Sequence, residues 1–364
     1  MRDALKFAAT ALLSTLAACA TSSNDSSAVD SGGQSPGLDG SSGTDATSGT
    51  DAISGADVTS STDARSGTDA TSGTDATSRA DVTSTADASS GTDATSSSDA
   101  TSAEDTSLPG WTLTWSDEFN GPDGSAVDPT KWVHDVGGTG WGNQELEYYT
   151  DGTQNAVVTG GNLVITATPV GASAYSCSYG TCSYTSARLK TQGLFAQTYG
   201  LFEASIQLPA GQGLWPAFWT LGDNINTVSW PACGEIDIME AVDSEPLLNH
   251  GSMHGPISPG SSTSYNLTAT APATTNELST SFHTYAIEWD PGTVRFFLDD
   301  VLYETQTTAT LQQASPGAVW EFDQPFFLLL NVAVGGTFPG APNATTTFPQ
   351  TMKVDWVRVY ERAD

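Results

Sequence analysis

Aspartate recurs every sixth residue at Asp39, Asp45, Asp51, Asp57, Asp63, Asp69, Asp75, Asp81, Asp87, Asp93 and Asp99, in a unit that reads roughly Asp-Ala-Thr-Ser-Gly-Thr. This repeat decides where a fold can be. Residues 20–108 are almost entirely Ser, Thr, Asp, Gly and Ala, which bury too little apolar surface to offset the entropy of ordering the chain. A hexapeptide period is also a signature of the parallel β-helix, but that fold needs a bulky aliphatic residue in each turn. Here the residue after Asp is Ala, with Gly40, Val58 and Val82 as the exceptions. One acid in six is too sparse for a calcium-binding repeat. The segment reads as a flexible, self-repelling tether, and at about 5–6 Å × √n its ends lie roughly 50 Å apart.

Ahead of it, Arg2 and Lys6 precede an apolar run from Phe7 to Leu16 that is too short to span a bilayer as a stable helix. The run ends Leu16-Ala17-Ala18-Cys19, which resembles a bacterial lipobox, where small residues precede a cysteine that is lipidated. The alternative is an ordinary signal peptide cleaved after a small-residue site. Two or three acyl chains on Cys19 would give the attachment that one chain does not. Ala20, rather than Asp, implies by the same resemblance the outer membrane. The expectation is an exported protein with a signal over 1–19, lipid-anchored to the outer membrane or cell surface, or else secreted.

Only residues 109–364 carry the aromatic and aliphatic side chains a core needs, and that length suits one β-sandwich. The formal charge of −31 has two sources. The tether holds 15 acidic residues and two basic ones, and the remaining domain is acidic as well. Such a surface argues against nucleic acid, whose phosphates require Lys and Arg, and is compatible with a neutral substrate. Cys177 and Cys182 bracket a four-residue loop and are expected to form a disulfide in an exported protein. Cys233 has no fourth cysteine in the domain to pair with and reads as a buried thiol. The four histidines are scattered, which disfavours a zinc site.

From Trp111 onward, short alternating runs are broken by Gly, Pro, Asn and Asp. Asn162–Ala167, Gly200–Ile206, Thr284–Trp289, Val294–Leu298 and Met352–Tyr360 are examples, and no long stretch holds a 3.6-residue period. The pattern predicts an all-β fold of two packed antiparallel sheets, a jelly-roll β-sandwich. The runs at Trp111 and Met352 start alike, so the two ends of the domain are expected to pair.

The chemistry concentrates in Gly234-Glu235-Ile236-Asp237-Ile238-Met239-Glu240. On a strand Glu235 and Asp237 share a face, with Ile236 and Ile238 in the core. Strict alternation would send Glu240 inward, where an unpaired carboxylate is costly. A β-bulge at Ile238-Met239 returns Glu240 to the face of Glu235. Three carboxyls then line one open surface. Retaining glycosidases use two carboxyls about 5–5.5 Å apart, one nucleophilic and one protonated. An acidic neighbour such as Asp237 raises the proton affinity of both.

The Glu-Ile-Asp-Ile-Met-Glu run is similar to the active-site signature of glycoside hydrolase family 16, in the form typical of laminarinases. The resemblance covers nearly the whole domain. Trp115–Asn120, Gly140–Thr150, Ser186–Arg188, Gly213–Trp219, His254–Pro256 and Asn331–Gly336 match in order. It implies a concanavalin A-like jelly roll with a substrate cleft on the concave face, and an endo-β-1,3-glucanase acting on laminarin-type β-glucan as a monomer. Glu235 would be the nucleophile, Glu240 the acid/base, and Asp237 a hydrogen-bonding partner of Glu235. Trp215, Trp219 and Trp230 would stack on pyranose faces, with Phe218 turned to the core. Asn143, Glu145 and Arg188 would bind hydroxyls, and His254 would sit near the reaction centre. Catalysis would need no cofactor. A structural calcium is implied at Glu118, the Gly161 carbonyl and Asp355. Laminarinases commonly continue His-Gly-Pro with Gly-Tyr-Ser-Gly, whereas this chain has Ile257-Ser258-Pro259-Gly260, which leaves chain-length preference open. The rivals are a mixed-linkage β-1,3-1,4-glucanase, an agarase-like galactanase, and a non-catalytic glucan-binding protein. Only 11 basic residues in the chain disfavour a sulfated galactan, and the presence of both glutamates disfavours a passive binder.

Overall fold

The computed structural model describes residues 108–363. The expected signal segment, Cys19 and the tether up to residue 107 lie outside the described residues. Two antiparallel sheets make the domain. The eight-stranded sheet runs Val301–Thr307, Thr293–Leu298, His283–Asp290, Gly200–Gln207, Gln350–Arg362, Asn162–Ala167, Ala156–Thr159, with Trp111–Asp117 also on Gln350–Arg362. The seven-stranded sheet runs Ser264–Thr270, His250–Pro256, Glu235–Glu240, Leu214–Gly222, Phe326–Val334, Arg188–Lys190, Val133–Asp135. Among the described residues only two short α-helices occur, Ile225–Val228 and Thr308–Ala314.

The core lies between the sheets. Ile236, Ile238, Met253 and Leu328 from one sheet pack with Phe202, Ile287, Val354 and Val359 from the other, all fully buried. Burying each such side chain contributes about 1.5–3 kcal/mol before entropy is counted. Asn162–Ala167 shows the alternation that built the expectation, with Leu163, Ile165 and Ala167 inward. Leu214–Gly222 and Phe326–Val334 do not alternate in burial: all nine residues of each are buried. They lie in the middle of the seven-stranded sheet, with one face on the core and the other under the cleft described below. Both faces are covered, so both select apolar residues.

The domain ends pair as expected, Trp111 opposite Arg362 and Asp117 opposite Val357. Cys177 and Cys182 form a disulfide, and Cys233 is buried and lies outside any disulfide.

Candidate active site

Register across the seven-stranded sheet puts the acidic strand on the outer face in rows. His254, Glu235 and Leu221 align, then Ser252, Asp237 and Trp219, then His250, Glu240 and Ala217. The rows continue through Phe327, Leu329 and Asn331 of the next strand. The pairing slips by one residue between Trp219/Asp237 and Phe218/Met239. Ile238 and Met239 therefore both enter the core, fully buried, and Glu240 returns to the outer face. Gly234 leads into this strand at φ 76°, and a Cβ there would sit 2.9 Å from the Phe326 ring. Glycine alone meets both conditions.

Glu235, Asp237 and Glu240 line one cleft together with Trp141, Asn143, Glu145, Arg188, Trp215, Trp219, Trp230 and Asn331. The surface is less open than expected: Asp237 and Glu240 are 3% and 6% exposed, and Glu235 is half-buried. Each glutamate takes an indole N–H. Trp230 donates to Glu235 Oε2, and Trp215 donates to Glu240 Oε1 at 2.8 Å. Ser252 hydroxyl donates to Asp237 Oδ2 at 2.6 Å, lies 3.4 Å from Glu240 Oε2, and is 3.0 Å from His254 Nε2. His254 Nε2 is 3.1 Å from Asp237 Oδ2.

Burial, then the charge of Asp237, pushes the Glu235 carboxyl up to about 8. The same two causes raise Glu240 well above the usual range. Burial opposes a charge on His254, yet the hydrogen bond to Asp237 and the surrounding carboxyls lift it to about 9. At neutral pH the cleft thus holds an imidazolium behind Asp237 and at least one proton on the glutamates. Burial and Asp237 thus favour a proton within the pair, and paired-carboxyl chemistry uses such a site with one group protonated and the other ionised.

The wall of the cleft is built around Arg188. Its guanidinium lies between the rings of Trp141 and Trp219, at 5.0 and 4.7 Å, and its Nε is 3.0 Å from Asp135 Oδ2. Asn143 Nδ2 and the Tyr149 hydroxyl both donate to Glu145, each at 3.1 Å. Trp219 donates to Asn331 Oδ1 at 2.7 Å, and Asn331 Nδ2 donates to the Tyr149 hydroxyl at 3.3 Å.

Three expectations need correction. Trp215 and Trp219 do share the outer face, and Phe218 does turn to the core, but the two indoles are 5% and 9% exposed. Their N–H edges hold Glu240 and Asn331, and Arg188 covers a face of Trp219, so they form the floor more than stacking platforms. Half-buried Trp141 and Trp230 have more ring to offer a sugar. His254 sits beside the reaction centre as expected, 3.1 Å from Asp237 Oδ2, but it is 1% exposed and does not line the cleft, so it supports Asp237 from behind and is not placed to bind substrate. The Glu118 carboxylate is engaged by Arg358, Nε to Oε1 at 3.0 Å and the terminal nitrogen to Oε2 at 2.7 Å, which leaves that residue only its backbone carbonyl to offer a cation. A bidentate guanidinium holds such a group with fixed positive charge. With Gly161 in a left-handed turn at φ 72°, half-buried Asp355 is then the one side-chain carboxylate of the trio that could serve calcium, so the donor set does not fit as expected.

Sequence reasoning missed Ser252, and it gave no individual role to Trp141, Tyr149 and Asn331, which lie in the Gly140–Thr150 and Asn331–Gly336 runs that resemble the family. Ser252 carried one usable signal, its place two residues before His254 on a strand.

A profile of the family described as Glycosyl hydrolases family 16 matches residues 143–358. A beta-glucanase of Rhodothermus marinus is 44% identical over 264 residues, spanning 69% of this chain and 86% of that protein. Among solved structures, the laminarinase catalytic domain of Thermotoga maritima MSB8 shares 44% identity at a TM-score of 0.62, covering 70% of this chain and 99% of that one. The catalytic domain of an endo-1,3-beta-glucanase (laminarinase) from Thermotoga petrophila RKU-1 shares 45% identity at 0.62, with the same coverage.

Proposed function

Because the chain belongs to glycoside hydrolase family 16, we propose that it is a retaining endo-β-1,3-glucanase that cleaves laminarin-type β-glucan with Glu235 and Glu240. The observation that carries this is the slipped register that returns Glu240 to the face of Glu235, with each carboxyl held by its own tryptophan.

The first displacement begins with Glu240 protonated and Glu235 ionised. Glu240 gives its proton to the glycosidic oxygen as the bond from that oxygen to the anomeric carbon breaks. A Glu235 oxygen bonds to the same carbon, and the leaving sugar departs as an alcohol. In the second displacement ionised Glu240 takes a proton from water, and the water oxygen replaces Glu235 at the anomeric carbon. Two inversions retain configuration, and no cofactor enters. Asp237 serves both halves by its charge. It favours the proton on Glu240 in the first, and by opposing a negative Glu235 it favours the uncharged ester. Arg188, Asn143 and Glu145 offer donors and acceptors to sugar hydroxyls along the wall.

The named activity of the relatives points to β-1,3 linkages. Incubating the full chain with laminarin, lichenan and agarose, and resolving products by chain length, tests the reading. Internal cleavage of laminarin with β-configured products at first appearance supports it; preference for lichenan or agarose overturns the linkage assignment. The Leu16-Ala17-Ala18-Cys19 run supports, in addition, an exported enzyme anchored by lipid on Cys19. Metabolic labelling with a fatty-acid analogue, lost in Cys19→Ser, tests that.

A further inference from the structure

Glu147 is a wholly buried carboxyl that the reaction does not use. It lies on the short strand Glu147–Tyr149, beneath the wall that carries Glu145. Its Oε2 accepts the Val334 backbone N–H at 2.7 Å, while Leu146 donates its own N–H to the Val334 carbonyl at 2.7 Å. The side chain thus completes a ladder pair that fastens the 140s loop to the end of Phe326–Val334. The fit is close: a Cβ on Gly335 would meet Leu146 at 2.7 Å.

Its other oxygen has no N–H or hydroxyl partner and is sealed from solvent. The Glu145 carboxyl stands two residues earlier on the same face of the extended chain, Glu145 pairing with Gly335 just before the strand Glu147–Tyr149 begins, and the two carboxyls interact. Two carboxylates cannot satisfy each other, because both only accept; a hydrogen bond between them requires a proton on one. Glu145 already accepts from Asn143 and Tyr149 and feels the charge of Arg188. Among the described residues no cation pairs with Glu147, and an isolated buried anion beside a second anion is costly. The proton therefore belongs on Glu147.

We propose that Glu147 is a positioning residue, a neutral carboxylic acid that donates to Glu145 and fixes it as the ionised acceptor for a substrate hydroxyl. The assignment to substrate rests on the glucanase reading; the protonation state does not. Trp219, Asn331, Tyr149 and Glu147 then all donate in one direction, toward Glu145.

Two variants of the full chain test this. Glu147→Gln keeps a donor for Glu145 and an acceptor for Val334, whereas Glu147→Met keeps neither. Infrared difference spectra of glutamate-labelled protein at pH 7 should show a carboxylic-acid carbonyl band in wild type that Glu147→Gln lacks. On laminarin, Glu147→Met should raise KM about tenfold, the equivalent of ~1.4 kcal/mol, with kcat moved less than about twofold. Glu147→Gln should recover most of that loss. Absence of the band, or a KM in Glu147→Gln as high as in Glu147→Met, overturns the proposal. If Glu147→Met does not fold, the infrared band and the KM of Glu147→Gln against wild type decide. A wild type inert toward laminarin overturns the glucanase reading and leaves the infrared result standing.

Discussion

Trp215 donates its indole N–H to Glu240 Oε1 at 2.8 Å, and this bond opposes the burial that pushes the Glu240 carboxyl up. The bond strengthens when Glu240 is ionised, which is its state when it must accept a proton from water. Trp215→Phe keeps the ring and removes the donor. Glu240 should then hold its proton to higher pH, so the alkaline limb of kcat/KM moves up. Hydrolysis of the ester should slow about tenfold, the kinetic equivalent of a charge-assisted bond of ~1.5 kcal/mol. A pH profile with an activated aryl glycoside, and its burst amplitude, would check both; an unmoved alkaline limb would sink the idea.

The two glutamates have distinct roles that azide can separate. Glu235→Gly leaves a gap on the face from which the nucleophile attacks. Azide entering there displaces an activated aryl leaving group once, giving a sugar azide of inverted configuration. Glu240→Gly still forms the ester on Glu235, and azide then opens it from the other face, giving the retained product. Without azide, loss of Glu240 should cost about 10²–10⁴ in rate on laminarin. Azide products of swapped configuration in the two variants would reverse the assignment.

Arg188 is held by ring faces and a carboxylate at once, between Trp141 and Trp219 and beside Asp135. Arg188→Lys preserves the charge but has neither a plane to stack nor a fork to offer. KM on laminarin should rise about three- to tenfold, in line with cation–π contacts of ~0.5–2 kcal/mol, while kcat changes less. Steady-state kinetics decide it. An equal fall in kcat with unchanged KM would mean that Arg188 acts at the reaction centre.

What the sequence made legible was local. Alternation alone placed Phe218 inward between Trp215 and Trp219. The cost of an unpaired Glu240 in the core called for the bulge that the register shows between Asp237 and Met239. What was hidden depends on which strands lie side by side. Trp219 meets Asn331 across 112 residues, and Glu118 meets Arg358 across 240. Neither pair follows from periodicity, because sheet order is a property of the whole packing. The direction of an indole N–H is hidden for the same reason, so side chains that read as sugar platforms are hydrogen-bond donors, Trp215 and Trp230 to the carboxyls and Trp219 to Asn331.

The accumulated charge of the cleft should also be visible in stability. Glu235 titrates near 8 when folded and about 4.5 when unfolded. Between those values the folded protein keeps a proton that the unfolded chain has released, so stability falls as pH rises through that window. His254 slopes the same way. Its folded value near 9 exceeds the ordinary 6.5, so its contribution is full below about 6.5 and lost as pH rises through 9. Wild-type Tm should therefore decline from pH 5 to pH 9. Glu235→Gln removes a carboxyl that is costly to ionise while keeping its shape. At pH 8 the variant should melt at least about 2–4 °C above wild type, the shift expected from ~1 kcal/mol in a domain of this size. Near pH 4.5, where both side chains are neutral, the difference should close. Calorimetry across this range reads the effect directly, at a site whose ionised carboxyl serves the reaction at the expense of stability. A variant less stable than wild type at pH 8 would show that the Glu235 carboxylate is welcome in the fold, and that the cleft is not electrostatically strained.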